Sequence, residues 1–131
     1  MKSQIFKKKL QGYISSGKID GNFFPQKIQN LCLKNYCDVN KYTLILSATE
    51  FKMKGSNLVL KGLKEKLNSF EGIVFFSIKQ IDKDKLSILK YFVNLKKEIQ
   101  FYYENIEIKN IKNYKKIILL LKINKFINIK K

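Results

Sequence analysis

The sequence predicts one three-layer α/β domain, with a four-stranded parallel sheet in the order 2-1-3-4 and helices on both faces. Short apolar segments alternate with segments of helical periodicity along the whole chain. Two of the apolar segments are continuous, as in strands buried on both faces. With 131 residues, 45% of them hydrophobic, the chain has enough material for one core and too little for two. We expect a single domain over 1–131, with a basic lead-in at 1–9 and a frayed lysine-rich end at 122–131.

The first part of the chain predicts two strands joined by a helix. Residues 10–16 (LQGYISS) form the first strand, and a loop with two glycines covers 17–24. Pro25 suits the first turn of a helix because its φ angle is already helical. Apolar residues then recur with helical spacing over 25–38. Residues 42–48 (YTLILSA) form the second strand.

A second helix and a third strand come next. Residues 49–57 predict a loop. Leucines with helical spacing then mark the helix, at Leu58, Leu60, Leu63 and Leu67. Residues 72–78 (GIVFFSI) form the third strand, the clearest in the chain.

The last part of the chain predicts one strand between two helices. Asp82 or Asp84 begins the third helix. Residues 99–103 (IQFYY) form the fourth strand, and a last helix covers 110–125. Strands and helices therefore alternate throughout, which favours a parallel sheet with right-handed crossovers.

The charge is large and comes from one residue type. The net charge is +17, and all 27 basic residues are lysine. We interpret this mainly as compositional bias, because isoleucine and asparagine are also abundant. Arginine, the usual bidentate reader of phosphate and guanine, is absent, which argues against nucleic acid as the partner.

The scarcity of potential metal ligands and redox-active residues excludes several kinds of chemistry. The chain has no histidine, so histidine-based acid–base catalysis is excluded. Cys32 and Cys37 lie on the predicted first helix in different directions, which argues against a disulfide. We expect no metal site and no cofactor.

Hydropathy gives no sign of a membrane partner. The longest apolar run, Ile117–Leu121, is far shorter than the ~20 residues of a membrane span. Residues 1–10 are basic and lack the apolar stretch of a secretory signal. A cytoplasmic protein is the expectation.

Polar side chains follow each predicted strand. Ligands of open parallel sheets bind beyond the carboxyl ends of the strands, where the strand order reverses. The candidate residues there are Ser15, Ser16, Ser47, Thr49, Glu50, Ser77, Lys79, Gln80 and Glu104. The first turns of the first helix add Gln26, Gln29 and Asn30. We expect these groups to line one polar pocket.

The residue types in this pocket suggest its ligand. Uncharged hydroxyl and amide groups suit a polyhydroxylated small molecule such as a sugar. If the pocket is catalytic, Ser15 or Ser16 is the candidate nucleophile. The candidate bases are Glu50, Glu104 and Lys79, and Glu50 is the first choice because it follows a buried strand. The alternative for each group is a cap or a loop hydrogen bond.

Most aromatic residues are interpreted as core, because their spacing matches one face of a predicted strand or helix. This set comprises Phe23, Phe24, Phe51, Phe75, Phe76, Phe101, Tyr102 and Tyr103.

Several segments together resemble a known family. They are GYISS (12–16), PQKIQN (25–30), NYC (35–37), LILSATEFKM (44–53) and GIVFFSIKQI (72–81). Over residues 10–108 the chain resembles the sporadic carbohydrate cluster proteins, found among bacterial surface-polysaccharide genes. The resemblance implies a pathway and no particular reaction.

A weaker likeness, of fold only, is to the catalytic domain of serine recombinases, which have a resolvase/flavodoxin-like sheet. Ser15 and Ser16 lie where that family has its nucleophile, but the arginines around the scissile phosphate have no counterpart here.

Three functions therefore stay open. The first is a small enzyme or sugar-binding accessory of surface-carbohydrate biosynthesis. The second is a nucleic-acid-binding protein on a recombinase-like fold, and the third is an interaction module. The oligomeric state is also open, a homo-oligomer included.

Overall fold

The computed structural model describes residues 7–19, 21–50, 58–81 and 83–119. It is a mixed α/β structure with a mostly parallel central sheet, which confirms the predicted fold class. The sheet has five strands in the order β4-β1-β5-β6-β7. These are β1 (Lys9–Ser15), β4 (Thr43–Glu50), β5 (Gly72–Phe75), β6 (Glu98–Phe101) and β7 (Ile106–Ile108). A separate two-stranded hairpin consists of β2 (Lys18–Ile19) and β3 (Asn22–Phe23).

The predicted count of four strands is too low. The edge strand β7 pairs antiparallel with β6, whereas the other neighbours in the sheet are parallel. It follows a tight turn in which Asn105 has a φ of 56°. A three-residue strand shows too little alternation to be recognised from its sequence.

The helices lie close to their predicted positions. They are α1 (Gln26–Val39), α2 (Leu58–Gly62), α3 (Lys83–Asn94) and α4 (111–119). The rest of the predicted last helix lies outside the described residues. The chain also forms two 3-10 helices, Leu63–Ser69 and Ile78–Gln80. The second of these explains why the third strand ends at Phe75, because Ser77 already caps the helical turn that follows.

Side chains of the sheet divide between two hydrophobic cores. Leu10, Ile14 and Val74 pack with Leu33, Tyr36 and Cys37 of α1. The larger core lies against the opposite face and takes its residues from the sheet, α2, α3 and α4. Its fully buried members include Tyr13, Leu60, Ile73, Phe75, Leu89, Phe92, Ile99 and Phe101. Cys32 and Cys37 are both free thiols.

A buried polar network ties α1 to strand β6. Gln100 is fully buried and accepts a hydrogen bond from the Tyr36 hydroxyl. Its amide nitrogen donates to the Tyr42 hydroxyl (3.1 Å) and to Glu98 Oε1 (3.2 Å). Lys8 forms an ion pair with the other carboxylate oxygen of Glu98. Burial raises the pKa of Tyr36 above its ordinary value.

Among the helices that the structure describes, none has the length and apolar character needed to cross a membrane.

Candidate functional site

Strands β1 and β5 are neighbours at the centre of the sheet, and their following helices belong to different cores. The chain leaves β1 for α1 on one face and leaves β5 for α3 on the other. Such a divergence opens a crevice at the carboxyl ends of two parallel strands. The candidate site therefore lies beside Ser15 at the end of β1 and Ser77 just after β5.

Gln29 on α1 fixes the end of β1 through its side chain. Its Oε1 accepts a hydrogen bond from the Ser15 backbone nitrogen (3.0 Å). Its Nε2 donates to the carbonyl oxygens of Ser15 and Phe24, at 2.8 Å each. The side chain is fully buried, so Gln29 acts here as a backbone clamp that orients the loop after β1.

Gln80 connects the two central strand ends. Its Nε2 donates to the Ser15 hydroxyl oxygen (2.8 Å), and its Oε1 accepts from the Ser77 backbone nitrogen (2.9 Å). Ser15 and Gln80 are both buried. An amide is no proton acceptor for catalysis, so this contact orients the Ser15 hydroxyl without activating it as a nucleophile.

Glu104 holds the turn that follows β5. Its Oε2 accepts a hydrogen bond from the Ser77 hydroxyl (2.6 Å), and its Oε1 accepts from the Ile78 backbone nitrogen (2.9 Å). The Ser77 hydroxyl oxygen in turn accepts from the Lys79 backbone nitrogen (3.1 Å). The hydroxyl hydrogen of Ser77 is therefore committed, and its oxygen keeps one lone pair for a ligand.

Four of the predicted site residues thus form one hydrogen-bonded chain: Ser15, Gln80, Ser77 and Glu104. A fifth, Gln29, joins this chain through the backbone of Ser15. The other predicted residues are placed differently. Gln26 and Asn30 are exposed on α1, and Lys79 is exposed after β5. Ser16 is half-buried after β1, and Thr49 is half-buried in β4 opposite Ile14. The backbones of Ser47 and Glu50 lie in β4, with Glu50 opposite Ser15, but their side chains lie outside the described part of the structure.

A cleft opens beside this hydrogen-bonded chain, with a volume of about 80 Å³. We call it the aromatic cleft, and its lining residues are Ile19, Asn22, Phe24, Phe76, Ser77, Lys79 and Tyr103. The hairpin β2–β3 contributes one wall. Gly21, at its tip, has a φ of 80°, a conformation that favours glycine. The opposite wall follows strands β5 and β6.

The walls of the aromatic cleft are rings in mutual contact. The ring centroid of Phe24 lies 4.9 Å from that of Phe76 and 6.5 Å from that of Tyr103. The Tyr103 backbone nitrogen donates to the Phe76 carbonyl oxygen (2.9 Å), which keeps Tyr103 beside the cleft after β6 has ended. The expectation that these aromatics are core is wrong at two positions, because Phe23 and Tyr103 are each 64% exposed. Phe51 lies outside the described residues.

The aromatic cleft offers binding groups of three kinds. Ile19, Phe24 and Phe76 are apolar, Ser77 and Asn22 are polar and uncharged, and Lys79 alone of the described lining residues is charged. Apolar walls with a few placed polar groups are typical of small-molecule sites. Across the described ranges, no cluster of histidine, cysteine, aspartate and glutamate side chains is suited to a metal ion.

No protein family model, no curated protein and no solved structure matches this chain. The resemblance to sporadic carbohydrate cluster proteins and the likeness to serine recombinases therefore stay predictions from the sequence.

Proposed function

We propose that this protein binds a carbohydrate in the aromatic cleft, as a small enzyme or sugar-binding accessory of bacterial surface-carbohydrate biosynthesis. The observation that carries the proposal is the pairing of aromatic walls with the fixed hydroxyl of Ser77 at the carboxyl edge of a parallel sheet. The biosynthetic setting rests on the sequence resemblance.

The chemistry of a sugar ring suits both parts of this cleft. One face of a pyranose presents C–H groups that pack on an aromatic ring, and exposed Tyr103 offers such a ring. The hydroxyl groups of a sugar are donors and acceptors. Ser77 accepts a hydrogen bond, while the Lys79 ammonium and the Asn22 amide donate. The clamps by Gln29, Gln80 and Glu104 hold this edge rigid, which lowers the entropic cost of binding.

Replacement of Tyr103 tests the proposal. Tyr103→Ala removes the exposed ring from the cleft and should weaken sugar binding about tenfold in calorimetric titrations with a panel of monosaccharides. Tyr91→Ala is the matched control, since Tyr91 is also an exposed tyrosine but lies on α3, beneath the Lys64 ammonium. Equal affinities of the two variants would place the sugar elsewhere, and an absence of binding by the unaltered protein would refute the proposal.

If the protein is an enzyme, we propose Glu50 as the base, because its backbone is registered with Ser15 at the strand ends. Glu50→Gln would then abolish turnover and largely spare binding. Unchanged turnover would assign the base to another residue.

The net charge of +17 favours a second candidate, a nucleic-acid-binding protein. Binding that depends on lysine–phosphate contacts falls steeply as salt rises, whereas a sugar held by rings and hydroxyls tolerates salt. Titration of duplex and single-stranded DNA at two salt concentrations separates the candidates. Sequence-selective, sub-micromolar affinity near physiological salt would favour nucleic acid.

A further inference from the structure

We infer that the aromatic cleft selects sugars that carry an N-acetyl group, and that the acetyl group, rather than the pyranose ring, enters the cleft. The inference rests on the proposed carbohydrate function and names the class of ligand.

The size of the cleft is the first argument. Its volume is about 80 Å³, whereas a cavity that encloses a whole drug-sized ligand has roughly 300–1,000 Å³. The cleft therefore encloses only part of a monosaccharide, such as one small substituent of its ring. An acetyl group has three heavy atoms, and a pyranose ring with its hydroxyls has many more. The ring of the sugar must therefore stay at the entrance, where exposed Tyr103 lies.

The apolar lining is the second argument. Ile19 is buried, and the rings of Phe24 and Phe76 are in contact at 4.9 Å. A hydroxyl placed against these groups would lose its hydrogen bonds to water without replacing them. A methyl group gains from the same contacts. The apolar part of the cleft thus favours the acetyl methyl group over any ring substituent of an unmodified hexose.

The hydrogen-bonding state of Ser77 is the third argument. Its hydroxyl hydrogen points to Glu104 Oε2 at 2.6 Å, and one lone pair accepts from the Lys79 backbone nitrogen at 3.1 Å. Toward a ligand, Ser77 is therefore an acceptor only, and it requires an N–H or O–H donor. An acetamido group supplies this N–H next to its methyl group. Its carbonyl oxygen requires a donor, and the side-chain amide of Asn22 in the opposite wall provides one.

The test compares ligands before it compares variants, so it does not depend on any variant folding. Calorimetric titrations would measure N-acetylglucosamine, glucosamine and glucose, together with N-acetylgalactosamine, galactosamine and galactose. At least one N-acetyl sugar should bind ten times more tightly than both of its parents. The N-butyryl derivative should lose that gain, because its acyl chain is two carbons longer than that of the acetyl group and the enclosed space beside Phe24 and Phe76 is small.

Variants of the lining assign the preference to this cleft. Asn22→Ala, on the exposed hairpin, should weaken binding of the N-acetyl sugar more than binding of its parent sugar, and should thereby reduce the N-acetyl preference to less than threefold. Gln26→Ala, on the exposed side of α1, is the control and should retain the full preference.

The outcomes separate this inference from the proposed function. Equal affinity for acetylated and parent sugars would overturn the inference and leave carbohydrate binding intact. Equal affinity for the N-acetyl and N-butyryl derivatives would likewise overturn the inference and leave carbohydrate binding intact. Failure of every sugar in the series to bind would overturn both.

Discussion

The Gln80 side-chain amide donates a hydrogen bond of 2.8 Å to the Ser15 hydroxyl oxygen, across the junction between the two central strand ends. The two residues are 65 positions apart in the chain and both are buried. The contact shows how this edge of the sheet uses its polar side chains. They bond first to one another and to the backbone, and they thereby fix the shape of the aromatic cleft beside them.

Gln29 should be the most important polar residue for the stability of this edge. Gln29→Met keeps the volume but leaves the Ser15 nitrogen, the Ser15 carbonyl and the Phe24 carbonyl without their partner. Each buried polar group without a partner costs about 1–3 kcal/mol, so the loss of all three bonds should lower the free energy of unfolding by at least about 3 kcal/mol in urea titrations. Gln26→Met, on the exposed side of the same helix, should change it by less than about 0.5 kcal/mol. Equal effects would show that the clamp contributes nothing.

Replacement of each of two glycines by alanine should change the stability of the protein in opposite directions. At Gly72, an added Cβ would lie 2.7 Å from the Glu98 carbonyl oxygen and 2.9 Å from Leu10 Cδ2. The carbonyl belongs to the neighbouring strand and cannot move away cheaply, so Gly72→Ala should cost about 1–3 kcal/mol or more.

At Gly62 an added Cβ meets nothing within 4 Å, and φ is −62°. Gly62→Ala should therefore stabilise the protein by about 0.4–1 kcal/mol, because it restricts the unfolded chain. Thermal unfolding of both variants checks the pair. Destabilisation at Gly62, or neutrality at Gly72, would contradict the packing described here.

Stability should fall at alkaline pH through Cys37. Burial raises the pKa of its thiol from 9.0 to about 11. Between these values the folded protein keeps the proton that the unfolded chain releases, so the free energy of unfolding decreases as pH rises from about 9 to about 11.

The Cys37→Ala variant isolates this contribution. The stability difference between the unaltered protein and Cys37→Ala, measured by urea unfolding under reducing conditions, should be constant from pH 6 to 8. The difference should shrink as the pH rises from about 9 to about 11. A difference that stays constant up to pH 11 would show that the thiol is solvated.

The fold class was predictable because the pattern of the long elements is unambiguous. The continuous apolar segments that became β4 and β5 have the composition of strands buried on both faces, and α1 has clear helical periodicity. The hairpin β2–β3 and the edge strand β7 are two or three residues long. Such elements depend on tertiary contacts, and they are too short to show a periodic pattern of apolar residues.

The meeting of polar strand ends at one edge of the sheet was predictable, whereas their individual contacts were not. Topology directs polar strand ends to one edge, and the structure places Ser15, Ser77, Gln80 and Glu104 together there. The sequence cannot tell that Gln29 bonds to the backbone, because that depends on the distance between α1 and β1. The sequence also cannot tell which rings of two adjacent aromatic residues are buried and which are exposed. In Phe23–Phe24 the first ring is exposed and the second half-buried, whereas both rings of Phe75–Phe76 are buried.

The most direct test of the central claim is a titration of the ¹⁵N-labelled protein with N-acetylglucosamine and N-acetylgalactosamine, followed by two-dimensional NMR. The account predicts concentration-dependent shifts of the backbone amide signals of Asn22, Phe24, Ser77 and Tyr103, which line the aromatic cleft. The signals of α4, which packs in the core on the other face, should not move. Shifts confined to α4 or to other surfaces, or no shift with either sugar or its parent hexose at tens of millimolar, would contradict the claim that this cleft binds carbohydrate.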